Sequence, residues 1–183
     1  MATIREKKPG VWEVRTVAER LRDMQFEAAH LNYDAYIRVI EESGGIVEQM
    51  IEGQEVHSPS VQMRISPLGK VEILSTHDQL LGGPSGQSYL GAAFPANPEY
   101  SRLITREAAK VGERFVREGI VGRFALDFLT VKNDAGEWEP YAIEINLRKG
   151  GTTHPFLTLQ YLTDGIYDAD SGKPVEGLQI LPL

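Results

Sequence analysis

Asp127, Glu144, Asn146 and Arg148 are the residues whose types and spacing could do chemistry in this sequence. The segment Tyr141-Ala142-Ile143-Glu144-Ile145-Asn146-Leu147 reads as a strand. Side chains alternate across a strand, so Glu144, Asn146 and Arg148 face one way and Ile143, Ile145 and Leu147 the other. A turn at Asn133-Asp134-Ala135-Gly136, centred between Ala135 and Gly136, sets Asp127 of the preceding strand opposite Glu144, with Cβ atoms about 4.5–5.5 Å apart. Two carboxylates and a carboxamide form an oxygen-only donor set of the kind magnesium takes together with water and phosphate oxygens. Two like charges this close call for a cation, because each raises the cost of ionising the other. Arg148 adds a planar fork for a phosphate or a carboxylate. The same residues also read as solvent-facing positions on a half-exposed sheet. Asp127 weighs against that second reading: it sits inside Phe124-Ala125-Leu126-Asp127-Phe128-Leu129, and a carboxylate among apolar neighbours needs a partner.

The elements that must position these residues follow from periodicity and punctuation. Thr16-Val17-Ala18-Glu19 has the form of a capping box and starts a short helix. A second helix follows Asn32, with Tyr36, Val39 and Ile40 on one face, and stops at Gly44-Gly45. Gly45–Ile51 reads as a short strand ended by Glu52-Gly53. Val61, Met63 and Ile65 alternate with polar residues, Pro67–Lys70 turns, and Val71–Leu74 returns as the partner of a hairpin. Residues 82–99 are rich in Gly and Pro and read as an extended middle. Asn97-Pro98 then opens a long helix whose stripe of Tyr100, Leu103, Ile104, Val111 and Phe115 runs to Gly119. Arg123–Val131 and the strand bearing Glu144 close the sequence of elements as a second hairpin. Strands and helices mix without a βαβ repeat, so the expected class is α+β with a mostly antiparallel sheet.

Composition narrows the function classes. At 183 residues, 42% hydrophobic and 25% charged, the chain is expected to fold as one domain, with residues 1–44 as a helical lead-in, 45–168 as the core and 169–183 as a tail. Nineteen basic against 26 acidic residues leave a net charge of −7, which argues against a nucleic-acid surface. The absence of cysteine excludes disulfides, a thiolate metal site and a cysteine nucleophile. The start carries no apolar leader and no apolar run approaches the ~20 residues a membrane span requires, so the expected location is the cytoplasm, with no membrane partner.

Glu144-Ile145-Asn146-Leu147-Arg148 resembles the E-x-N-x-R signature of ATP-grasp ligases, in which Glu and Asn bind magnesium and Arg contacts the transferring phosphate or the reacting carboxylate. Three longer stretches, GGIVEQMIEGQEVHSPSVQMRI, STHDQLLGGPSGQSYLG and AIEINLRKGGTTHPFLTLQYLTDG, extend the likeness from about Gly44 to about Asp168. They resemble the ATP-grasp peptide ligases related to the pheganomycin-type enzymes of actinobacteria.

The resemblance implies ATP and Mg2+ as cofactors and the joining of a small-molecule or peptide carboxylate to an amine through an acyl phosphate. By the same resemblance Asp127 is the first metal-binding acid, joined by Glu144 and Asn146, and Arg148 is the catalytic cation. Glu48 would take the adenine amino group, the backbone of Gln49, Met50 and Ile51 the ring edge, and Glu55 the ribose hydroxyls. Substrate contacts would fall at His77 and Asp78 before the glycine-rich loop, and at Gly151, Thr152 and His154 after Arg148. His30 and His57 read as structural.

Upstream of Glu48 the only lysines are Lys7 and Lys8, and no glycine-rich loop is visible. The chain therefore resembles the C-terminal part of such a ligase, without the lobe that carries the phosphate-binding lysines. Three readings stay open: a ligase, complete in itself or completed by a second polypeptide; a non-catalytic nucleotide- and magnesium-binding remnant; and a structural α+β domain in which Asp127, Glu144 and Asn146 are only surface polar residues.

Overall fold

Val61, Met63 and Ile65 in one strand and Phe124, Leu126 and Phe128 in another give each strand one apolar face, and burying those faces organises the fold. The computed structural model describes residues 2–3, 20–26, 30–46, 48–83, 86–169 and 171–175. Contacts divide the chain into two compact units, Met1–Met50 with Leu81–Tyr89, and Ile51–Leu80 with Leu90–Leu183.

In the first unit β1 (Ala2–Thr3) pairs antiparallel with β2 (Gln25–Phe26), preceded by a 3-10 turn at Leu21–Asp23. Helix α1 (Tyr33–Ser43) starts where expected, the Asn32 side chain accepting from the Ala35 amide at 2.9 Å, and ends at Gly44 with φ of 73°. Tyr36 lies edge-on to Phe26 at 5.3 Å. The expected capping box at Thr16–Glu19 lies outside the described residues.

The second unit is built on an antiparallel sheet of β3 (Val56–His57), β4 (Pro59–Ile65), β5 (Val71–Gly82), β6 (Ser88–Ala93), β7 (Gly122–Lys132) and β8 (Trp138–Asn146). The ends of β5 and β6 nearest their connection are counted with the first unit. The order is β3-β7-β4-β5-β6, and β8 takes the other edge of β7. Helix α2 (Pro98–Arg117) is capped by Asn97, carries Pro98 at its first turn, and buries Tyr100, Ile104, Ala108 and Phe115 against the apolar face of β4 and β7. Helix α3 (Thr153–Thr163) and the pair β9 (Ile166–Asp168) and β10 (Lys173–Val175) complete the described residues. The α+β class with an antiparallel sheet is thus the observed one.

Two expectations are corrected. Gly45–Ile51 forms no strand among its described residues, and Ile46 is 82% exposed; strand propensity alone does not hold a strand that is unpaired among the described residues. The Gly- and Pro-rich middle is partly regular, since β5 continues through Ser75–Gln79 to Gly82 and Ser88–Ala93 returns as β6. The turn after Arg148 leads into α3, an element that periodicity and punctuation did not supply, with Pro155 tolerated in its first turn.

Gly112 marks the closest approach of α2 to the sheet. A Cβ there would stand 2.7 Å from Val71 Cγ1 and 3.0 Å from Met63 Cε, so a side chain at this position forces helix and sheet apart. Gly112→Val is expected to cost about 1–3 kcal/mol, read as a lower denaturant midpoint at unchanged slope.

Candidate active site

The β7–β8 hairpin positions Asp127 directly opposite Glu144, and Ala125 opposite Asn146. The expected pairing is met by a different route. Near the turn Lys132 pairs with Trp138 and Phe128 with Ala142, which centres the turn on Ala135; Ile143 is bulged out of β8, and that extra residue restores the Asp127–Glu144 pair. β8 ends at Asn146, so Arg148 stands past the strand. Its amide bonds the Asn146 carbonyl at 2.8 Å, and its guanidinium donates to the Lys149 carbonyl at 3.3 Å.

Asn146 Nδ2 donates to Asp127 Oδ2 at 3.2 Å, joining the acid and the carboxamide. Burial pushes the Asp127 carboxyl above its ordinary range, and the Glu144 charge adds to this, while hydrogen bonds to Ser60, Gln79 and Asn146 pull the other way. Two carboxylates brought together at such a cost, beside a carboxamide oxygen, form a donor set that fits a hard divalent cation. Among the described residues no group of three His, Asp or Glu side chains gathers around a metal position, so this pair and Asn146 are the candidate.

Register places more residues on this face than the sequence reading named. Ser60 of β4 stands opposite Asp127 on one side and His77 of β5 on the other, giving a row His77, Ser60, Asp127, Glu144 across four strands. The next row is Ser75, Gln62, Ala125, Asn146. Ser60, Gln62 and Gln79 went unnamed, although Ser60 and Gln62 alternate with Val61 and Met63 and so already spelled a polar face.

His77 is buried, tilted against Phe94 at 5.0 Å, and burial lowers its pKa from 6.5 to about 4. A histidine held neutral in the fold but free to protonate when unfolded removes stability as pH falls below about 6.5. The folding constant is then expected to drop up to tenfold per pH unit down to about 4. Denaturation across pH 4–7 on the wild type and on His77→Gln checks this; the variant should lose most of that slope.

The remaining site candidates lie elsewhere. Asp78 is occupied by the fold, accepting from the Tyr100 hydroxyl at 2.6 Å and from the Asn97 amide at 2.9 Å. Glu55 bonds His57 Nε2 at 3.0 Å and lies 3.5 Å from Lys132 Nζ, and the His57 hydrogen bond leads in holding its pKa below the usual range. Lys132, which bonds the Glu55 carbonyl, is five residues from Asp127 along β7, about 17 Å. Glu48, Gln49 and Met50 are exposed and belong to the first unit, while Ile51 belongs to the second. Thr152 is buried at the start of α3, His154 is exposed on its first turn, and Gly151 faces open space.

The hairpin and the antiparallel sheet define a class by fold, and comparison with known proteins agrees. The IQCH-like ATP-grasp family model matches residues 11–170, and the chain belongs to the ATP-grasp family. It is 34% identical over 155 residues to the L-propargylglycine–L-glutamate ligase of Streptantibioticus cattleyicolor, covering 81% of this chain and 30% of the ligase. It is 30% identical over 105 residues to IQ motif-containing protein H of Danio rerio, covering 57% of this chain and 10% of that protein. The chain thus spans under a third of the length of either relative. In fold it is similar to pyruvate carboxylase from Rhizobium etli, with a TM-score of 0.55, 15% identity, and coverage of 93% of this chain and 15% of that one. It is also similar to biotin carboxylase from Campylobacter jejuni in its β-γ-ATP complex, with a TM-score of 0.51, 19% identity, and coverage of 69% and 27%. No helix among the described residues is long and apolar enough to cross a membrane.

Proposed function

We propose that this chain carries the metal and phosphate side of an ATP-dependent carboxylate–amine ligase. The observation that carries the reading is the Asp127–Glu144 pair with Asn146 bonded to Asp127, on the hairpin of an ATP-grasp chain. Asp127, Glu144 and Asn146 would hold Mg2+, which when bound neutralises phosphate charge and orients the triphosphate. The carboxylate substrate attacks the γ-phosphorus of ATP, forming an acyl phosphate and releasing ADP. An amine then attacks the acyl carbon, expelling inorganic phosphate and giving up a proton to solvent. Arg148, freed from the Lys149 carbonyl, would pair with the transferring phosphoryl group and later with the oxyanion of the amide-forming step. Ser60 and Gln79 hold the Asp127 carboxyl in place from the sheet side.

Glu48 would take the adenine amino group, the backbone of Gln49 to Ile51 the ring edge, and Glu55 the ribose, after release from His57 and Lys132. Gly151, Thr152 and His154 would meet the acyl or amine substrate. The name of the 34% identical relative makes amino acids the first substrates to try, L-glutamate among them.

A second reading has support in the 30% coverage of that relative: a nucleotide- and magnesium-binding module whose turnover needs a further polypeptide. The deciding assay combines the 183-residue chain with ATP, magnesium and paired L-amino acids. A ligase releases ADP only with both partners present, and hydroxylamine diverts the acyl phosphate to a hydroxamate. Nucleotide binding with no ADP release supports the module.

A further inference from the structure

Gln62 is the one long polar side chain in the row that runs Ser75, Gln62, Ala125, Asn146 across β5, β4, β7 and β8. It is 5% exposed. A buried carboxamide must find partners for both its donor and its acceptor ends, and Gln62 finds them on a single short segment. Its Nε2 donates to Thr152 Oγ1 at 3.2 Å, and its Oε1 accepts from the Thr153 hydroxyl at 3.1 Å. Thr153 Oγ1 in turn accepts from the Gly150 amide at 3.1 Å, and the Thr153 amide bonds the Gly150 carbonyl at the same distance.

These bonds close a clamp. The chain leaves β8 at Asn146, runs through Leu147–Thr152 and enters α3 at Thr153. Its near end is fixed by the Arg148 amide on the Asn146 carbonyl, its far end by Gln62. Ala125 is the residue between Gln62 and Asn146 in the row. The two anchors are separated by two strand spacings, about 9.6 Å. Gly150 and Gly151 lie within this span, and glycines alone would leave it loose. We infer that Gln62 is a positioning residue, acting from β4 on the turn that carries Arg148 and so setting where the guanidinium stands relative to Asp127 and Glu144. Glu and Met, the side chains nearest in shape, do not complete the clamp: Glu lacks the donor that Thr152 takes and buries a charge, and Met makes neither bond. The inference rests on the magnesium–nucleotide reading of the hairpin proposed above, and its test is divided accordingly.

The first arm is hydrogen exchange on the full chain without nucleotide. Gln62→Met is expected to speed exchange at the Gly150 and Thr153 amides at least tenfold while the α2 amides stay protected. Thr152→Val, which cuts the Gln62 Nε2 bond from its other end, is expected to act in the same direction, and it decides the matter if Gln62→Met does not fold. The second arm is a double-mutant cycle on Mg–ATP affinity with Arg148→Ala. Gln62→Met should weaken binding several-fold in the wild-type background and hardly at all in Arg148→Ala, a coupling that a merely structural residue does not produce. Unchanged exchange at Gly150 and Thr153 in either folded variant overturns the inference, as does full additivity in the cycle. A wild-type chain that binds no magnesium nucleotide overturns the functional reading instead, and the exchange arm then decides the role of Gln62 by itself.

Discussion

Asp127→Asn is expected to abolish magnesium-dependent nucleotide binding and, in the same protein without magnesium, to raise stability. The two effects have one cause. Burial and the Glu144 charge hold the Asp127 carboxyl above its ordinary pKa, so the fold disfavours the ionisation that the unfolded chain undergoes freely. An acid whose pKa is raised on folding adds stability below its unfolded pKa of about 3.9 and removes it as pH climbs through the folded value. The carboxamide of Asn keeps the shape and the Asn146 contact without the charge. The gain in denaturation midpoint should therefore be present at pH 7 and vanish below about pH 4. Groups that only hydrogen-bond to a metal's ligands are worth about 10–100-fold in affinity, so loss of a direct ligand is expected to cost about 100-fold or more. Calorimetry with and without magnesium, beside denaturation at pH 4 and 7, reads both effects. A variant that loses stability at pH 7 contradicts the assignment of Asp127 as a paid-for charge.

Phe128→Ala, one residue along β7, is expected to do the reverse. Phe128 points to the opposite face, 2% exposed, in the cluster with Tyr100, Ile104 and Leu126 under α2. Removing a buried phenyl ring leaves a cavity and costs about 3–5 kcal/mol, a large share of the 5–15 kcal/mol that holds a domain. The solubly expressed variant should show an unfolding free energy lowered by that amount, read from its denaturant midpoint and slope, and any nucleotide affinity that survives should match the wild type once the folded fraction is counted. Neighbouring residues on one strand thus separate the two jobs of the hairpin, one face for packing and the other for charge.

Alternation and punctuation made much of this legible in the sequence. The Asn32 and Asn97 caps, the hairpin at Pro67–Lys70 and the stripe on α2 follow from local rules, because each is set by residues within a few positions of one another. The Asp127–Glu144 pair was also reached, though from a turn placed half a residue off and without the bulge at Ile143 that makes the pairing work. Bulges depend on how a strand lies on its neighbours, which spacing along one strand does not encode.

Tertiary pairing decided the rest. Gly45–Ile51 has strand propensity but pairs with no strand among the described residues, whereas Ser75–Gln79, polar and unremarked as a strand, is drawn into β5 because β4 lies beside it. The apolar face of Ile143, Ile145 and Leu147 is exposed: Leu126 is 1% exposed under α2, while Ile145, its direct neighbour across the hairpin, is 49% exposed at the sheet edge. Gln62 and Ser60 were visible as letters in β4, but their importance comes from what β7 and α3 bring to them.

The most direct test of the metal–nucleotide account is a calorimetric titration of ATP into the purified chain, with and without magnesium, beside Glu144→Ala. Glu144 is exposed at the edge of the hairpin, so its loss should leave the fold intact. Binding that requires magnesium in the wild type and disappears in the variant is the result expected of a site on Asp127, Glu144 and Asn146. Equal heats with and without magnesium, or an affinity unchanged by Glu144→Ala, would contradict it.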